Sequence, residues 1–161
     1  MSHIIVGLGN KGEEYENTRH NVGRIVLEYV RKRRKFEDFD EVNKLKALVS
    51  EGKIEKTPVT LLLPETMMNK SGISVKPLVT SIKKASKLIV IYDDLDLPLG
   101  RFKISFDRGT GGHRGLESIT RHIRTNAYIR VRVGISPARR GGGGVPASRG
   151  PRRGLLTGRG G

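Results

Sequence analysis

Four polar residues crowd the stretch "NTRHNVG" at residues 17–23: two asparagines, an arginine and a histidine. Asn and His side chains there can cap a helix, sit in a solvated loop, or act on a substrate, His20 as a base that takes a proton from water. A second cluster is "YDDLDLPLG", which sets Asp93, Asp94 and Asp96 after an apolar run. Three such acids can chelate a divalent cation, shape a turn, or orient and stabilise a histidine. A third is "GTGGHRG", whose glycines and His113 can cradle a phosphate through backbone amides at a helix start, or only satisfy turn geometry.

Other chemistries lack their residues. The chain has no cysteine, so thiolate catalysis, disulfides and thiolate metal sites are excluded. The four histidines, His3, His20, His113 and His122, show no metal-binding spacing, and no serine nucleophile elbow or phosphate-loop lysine motif is present. No metal or cofactor is expected. "GLGNKG" matches a dinucleotide fingerprint formally, but the helical pattern begins only at Val22, too late for that turn.

Charge points to the partner. Lys plus Arg number 31 against 16 acids, a net charge of +15 over 161 residues. Six of those arginines lie in a glycine-rich tail, 138–161, without an acid, and the rest of the chain still carries nine excess positive charges. A polyanion is the natural partner, and nucleic acid the commonest one. No run approaches the length of a membrane span, so a cytoplasmic protein is expected.

The elements that must position these groups alternate. "HIIVGLGN" reads as a strand, and Val22, Ile25, Val26, Tyr29 and Val30 as one face of a helix ending in "RKRRK". Two strands follow within 44–64, then a helical stripe of Val75, Leu78, Val79 and Ile82, capped by Ser71 or Asn69. "KLIVIYDD" is a central, doubly covered strand. "RFKISF" and "IRVRVGI" alternate, each exposing one face, and between them the glycine loop opens another helix. The pattern predicts an α/β domain, three-layer α/β/α with a mixed, mostly parallel twisted sheet, over residues 1–137. The tail is expected to be disordered.

The segments "IIVGLGNKGEEYENTRHNVG", "LPETMMNKSG", "IVIYDDLDLPLGRFKI", "GTGGHRGLESI" and "RVRVGI", in this order, resemble the bacterial peptidyl-tRNA hydrolase family. The resemblance implies a monomer that hydrolyses the ester joining a peptide to tRNA, with a non-catalytic RNA-binding relative as the alternative. It implies His20 as general base, Asp93 as stabiliser of its charged form, and Asn10 as sensor of the acylated nitrogen. Asn69, with Met67 and Met68 beside it, would lie near the scissile ester, and Tyr15, His113 and Arg114 in the same cleft. Lys103 and Arg132, with Arg108 nearby, would hold a phosphate at the acceptor end. The chain departs from the family pattern at Lys11 (usually Pro), Leu63 (usually Lys), Met67 (usually aromatic) and Arg114 (usually Asn), and in its Arg/Gly-rich end.

Overall fold

The computed structural model describes residues 2–9 and 21–137. Expectations for Asn10, Lys11, Tyr15, His20 and the tail therefore lie outside the described residues.

The apolar run at the start forms β1, His3–Gly7. It pairs in parallel with β4, Thr57–Pro64, on one side and β5, Leu88–Pro98, on the other. β5 pairs in parallel with β7, Ile129–Ser136. Antiparallel strands complete the sheet: β2, Asp40–Val42, and β3, Ala47–Ile54, beyond β4, and β6, Phe102–Phe106, beyond β7. The order is β2-β3-β4-β1-β5-β7-β6, a mixed sheet as expected, with three of its six pairings parallel rather than most of them.

Helices cover both faces. Helix α1, Val22–Arg33, packs Leu27 with Phe36, Val59, Leu61, Leu63 and Ile91. The opposite layer comprises α2, Gly72–Val75, α3, Ile82–Ala85, and α4, Arg114–Ile123. Leu116 and Ile119 of α4 join Val6, Leu8, Leu62, Val90 and Tyr92 in the second core cluster. Removing the apolar side chains of two such clusters from water is the main stabilising contribution.

Four local expectations are corrected. On α1 the buried residues are Gly23 and Leu27, with Val26 and Val30 partly buried, whereas Ile25 and Tyr29 are exposed. Gly23 rotates the seam, because a residue without a Cβ lets the helix backbone lie directly on the strands. The stripe from Val75 to Ile82 is not one helix. A 3-10 turn at Lys76–Leu78 holds Pro77 at its start, and a separate helical turn begins after Ser81, whose hydroxyl accepts from Lys84 N–H. Ser71 donates to the Met68 carbonyl instead of capping.

The fourth concerns the alternating strands. β6 is an edge strand whose alternate residues Phe102, Ile104 and Phe106 are 64%, 65% and 51% exposed. They face the same way as Val133, Val131 and Ile129 of β7, so an apolar strip lies open beside α1 among the described residues. On the other side of β7, Arg130 is covered, at 1% exposed.

Gly23 gives a direct test of α1 docking. A Cβ added there would stand 2.5 Å from the Ile91 carbonyl oxygen and 2.6 Å from the Leu8 amide nitrogen. Both are backbone atoms of the central strand region and cannot swing aside. Gly23→Ala should cost about 2–3 kcal/mol, the upper range for an overpacked core, read as a lower urea midpoint at unchanged slope. A midpoint equal to that of the wild type would mean that α1 is not seated on β1 and β5 as described.

Candidate active-site cleft

Three parallel strands deliver the candidate residues to one edge. β1 ends at Gly7 and β4 at Pro64, and Asp93 and Asp94 stand near the C-terminal end of the parallel part of β5. In open α/β sheets, ligands bind at this carboxyl edge. The register of β5 against β7 shifts between Asp94 and Pro98, so the strand bends past the acids rather than ending at them.

The cleft beside this edge has a volume of about 390 Å³. It is lined by Tyr92, Asp93 and Asp94 of β5, Arg130 and Arg132 of β7, and Arg108 to His113. Register makes several of these neighbours: Tyr92 lies beside Arg132 on β5 and β7, and Ser105 of β6 opposes Arg130.

Asp94 is held twice. One carboxylate oxygen accepts from Asp96 N–H at 2.8 Å, and the other accepts from Arg132 Nη1 at 3.2 Å. Asp94 thus shapes the turn, and its charge partner is an arginine rather than a histidine. Asp96 is exposed, and no group of three or more His, Cys, Asp or Glu side chains among the described residues is placed to hold a metal ion.

Arg130 is a buried cation with no acid partner among its hydrogen bonds. Its guanidinium carbon lies 4.3 Å from the centre of the Tyr128 ring, and Nη2 donates to Asn126 Oδ1 at 3.2 Å. Its Nε and Nη1 have no partner among the described residues. An aromatic face replaces some of the solvation lost on burial.

His113 closes the cleft at the start of α4. Its Nδ1 accepts from the amides of Gly115 and Leu116 at 3.0 and 3.2 Å, and its ring meets Tyr92 edge-on at 4.7 Å. Burial pushes the His113 imidazole below its ordinary pKa, outweighing the opposing pull of Asp93, Asp94 and Glu117. Burial likewise raises the Tyr92 phenol, against the pull of Arg132 and Arg130.

Met68 reaches the same helix start. A Cβ on Gly115 would fall 2.7 Å from Leu8 Cδ1 and 2.8 Å from Met68 Sδ, so glycine there lets α4 meet both β1 and the turn Met68–Lys70. Met67 and Asn69 are exposed on that turn.

Of the expected residues, Asp93, His113 and Arg132 line the cleft together. Lys103 opposes Arg132 across β6 and β7 but stands outside the lining, as does Arg114, exposed at the first position of α4. His122 is structural: its Nδ1 is 2.8 Å from the Ser118 carbonyl oxygen, next to Gly72. Tyr92, Thr110 and Arg130 were missed as cleft residues. Tyr92 had a usable signal, since it adjoins Asp93 at a strand end.

The sequence profile of the family described as peptidyl-tRNA hydrolase matches residues 4–145. The chain belongs to the peptidyl-tRNA hydrolase family. A peptidyl-tRNA hydrolase of Halalkalibacterium halodurans is 42% identical over 133 residues, covering 82% of this chain and 71% of the relative. That of Carboxydothermus hydrogenoformans is 44% identical over 133 residues, covering 82% and 70%. Among solved structures, the crystal structure of peptidyl-tRNA hydrolase from Acinetobacter baumannii superposes with a TM-score of 0.77 at 36% identity, covering 85% of this chain and 69% of that one. The three-layer fold is thus that of peptidyl-tRNA hydrolase structures, and no helix among the described residues is long and apolar enough to cross a membrane.

Proposed function

We propose that this family member hydrolyses peptidyl-tRNA with His20 as the base and Asp93 as its charge partner. Water attacks the ester carbonyl while His20 takes its proton. The terminal ribose oxygen leaves with a proton, giving free tRNA and an N-acylated amino acid or peptide. The ester is already reactive, so a positioned base and a few amide donors suffice. Asn10 would hydrogen-bond the acylated nitrogen, Asn69 with Met67 and Met68 would lie near the ester, and Tyr15 would line the same site. Arg132 and Lys103, on one face of neighbouring strands, would meet phosphate, with Arg114 on the approach. The enzyme would act as a cytoplasmic monomer.

The observation that carries this assignment is the seating of α1. Gly23 packs against the Ile91 carbonyl and Leu8, so the helix that follows His20 begins beside the strand that presents Asp93 two residues later. The net charge of +15 suits the RNA partner. The hydrolase names of the relatives disfavour a binding-only protein.

The test is release of free tRNA from N-acetyl-aminoacyl-tRNA, compared with aminoacyl-tRNA bearing a free amine. The acylated substrate should react at least about tenfold faster, because an ammonium near Asn10 would be desolvated without a counter-charge. Equal rates on the two substrates would remove the role given to Asn10, and no release from either would remove the enzymatic assignment.

A further inference from the structure

His113 takes a place usually held by Ser, Thr, Asp or Asn, the N-cap of a helix. Two backbone amides, those of Gly115 and Leu116, donate to its Nδ1. A ring nitrogen that accepts hydrogen bonds carries no proton, so the proton of a neutral imidazole must be on the other nitrogen, Nε2. No described residue accepts from Nε2, and it is not among the buried side-chain atoms left without a partner. His113 lines the cleft, and Nε2 is the ring nitrogen that the cap leaves over. The edge-on Tyr92 ring limits how far the imidazole can turn.

We infer that the helix it caps holds His113 as the neutral Nε2–H tautomer, and that this N–H donates to an oxygen of the bound substrate. The inference rests on the hydrolase assignment and deepens it, giving one cleft residue a proton state and a bonding atom. Protonating Nδ1 would set a donor against two amide donors at the start of α4. Burial opposes the charge as well, although Asp93, Asp94 and Glu117 favour it. His113 is thus fixed as a donor of one hydrogen bond, without the free lone pair that a general base needs.

Two measurements test this. Nitrogen-15 spectra of the histidine-labelled full chain at pH 7 should show His113 Nε2 protonated and Nδ1 bare. A protonated Nδ1, in either the other tautomer or the imidazolium, would overturn the proton assignment. The second uses His113→Asn, whose side-chain oxygen can keep the cap while the ring N–H is lost. Its melting temperature should stay near that of the wild type, while KM for N-acetyl-aminoacyl-tRNA rises about threefold to tenfold, the worth of one neutral hydrogen bond. His113→Ala, losing cap and donor together, should lower both the melting temperature and the affinity. Unchanged KM in a folded His113→Asn protein would mean that the ring only caps α4. Affinity for deacylated tRNA locates the acceptor: equal weakening puts the oxygen on the RNA, and weakening confined to acylated substrate puts it at the ester or peptide. A wild-type protein without hydrolysis would sink the hydrolase assignment, whereas the nitrogen spectra decide the tautomer independently.

Discussion

With His20 as the proposed base, His20→Ala should slow release of tRNA from N-acetyl-aminoacyl-tRNA by about 10²–10⁴-fold, the usual contribution of a positioned general base. Affinity for deacylated tRNA stays within about twofold, because binding rests mainly on phosphate contacts made by other groups. The two readouts move apart for a physical reason. In the proposed role the imidazole acts only when water loses a proton on the way to the transition state, so its removal should subtract nothing from ground-state binding. Single-turnover rates at saturating enzyme would measure the chemical step directly. A mutant rate within threefold of the wild type would take the base role away from His20. Weakened tRNA binding at normal turnover would make it a binding residue instead.

Asp93→Asn should lower the same single-turnover rate by about ten- to a hundredfold, with tRNA affinity again little changed. An ionised carboxylate beside a histidine favours the imidazolium that forms as water is deprotonated, and an amide of nearly the same shape does not. The expected loss is smaller than for His20 because the base itself remains. Asp94→Asn is the control. Its native carboxylate accepts from Asp96 N–H and from Arg132, so neutralising it should act through Arg132 on tRNA binding and leave the chemical step nearly intact. Should Asp94→Asn slow chemistry as much as Asp93→Asn, the two acids would share the role. Should Asp93→Asn turn over normally, Asp93 would return to shaping the strand end.

Much of this architecture was legible because it rests on short-range pattern. The run Leu88–Tyr92 is apolar throughout and becomes a central strand, and the glycine loop before α4 opens its helix as expected. What failed depended on distance or on a missing side chain. The periodicity of α1 counted Ile25 and Tyr29 as buried, but hydropathy gives no weight to Gly23, and close backbone approach at Gly23 sets the seam. Pro77 and the extended Ser81 break a stripe that periodicity alone joins. In the cleft, Asp93 was singled out only by the family resemblance, since its place after an apolar strand did not separate it from Asp94 and Asp96. The Asp94–Arg132 pair spans 38 positions and leaves no local mark. Arg130 looked like a solvent-facing member of an alternating strand. Its burial depends on Tyr128 and Asn126, which cover it from the preceding connection.

The open strip along β6 changes how the folded state of this protein can be monitored. Phe102, Ile104 and Phe106 lie on one side of an edge strand, continuous with apolar side chains of β7. Environment-sensitive dyes of the naphthalene-sulfonate type fluoresce on accessible apolar surface and are commonly read as signs of a loosened core. Among the described residues, the fold already offers them such a surface. A dye-followed melt would begin bright, and its change on heating would mix release from the strip with exposure of the two internal clusters. Far-ultraviolet circular dichroism reports the sheet and helices themselves, so it is the signal by which the Gly23→Ala and His113 variants should be compared.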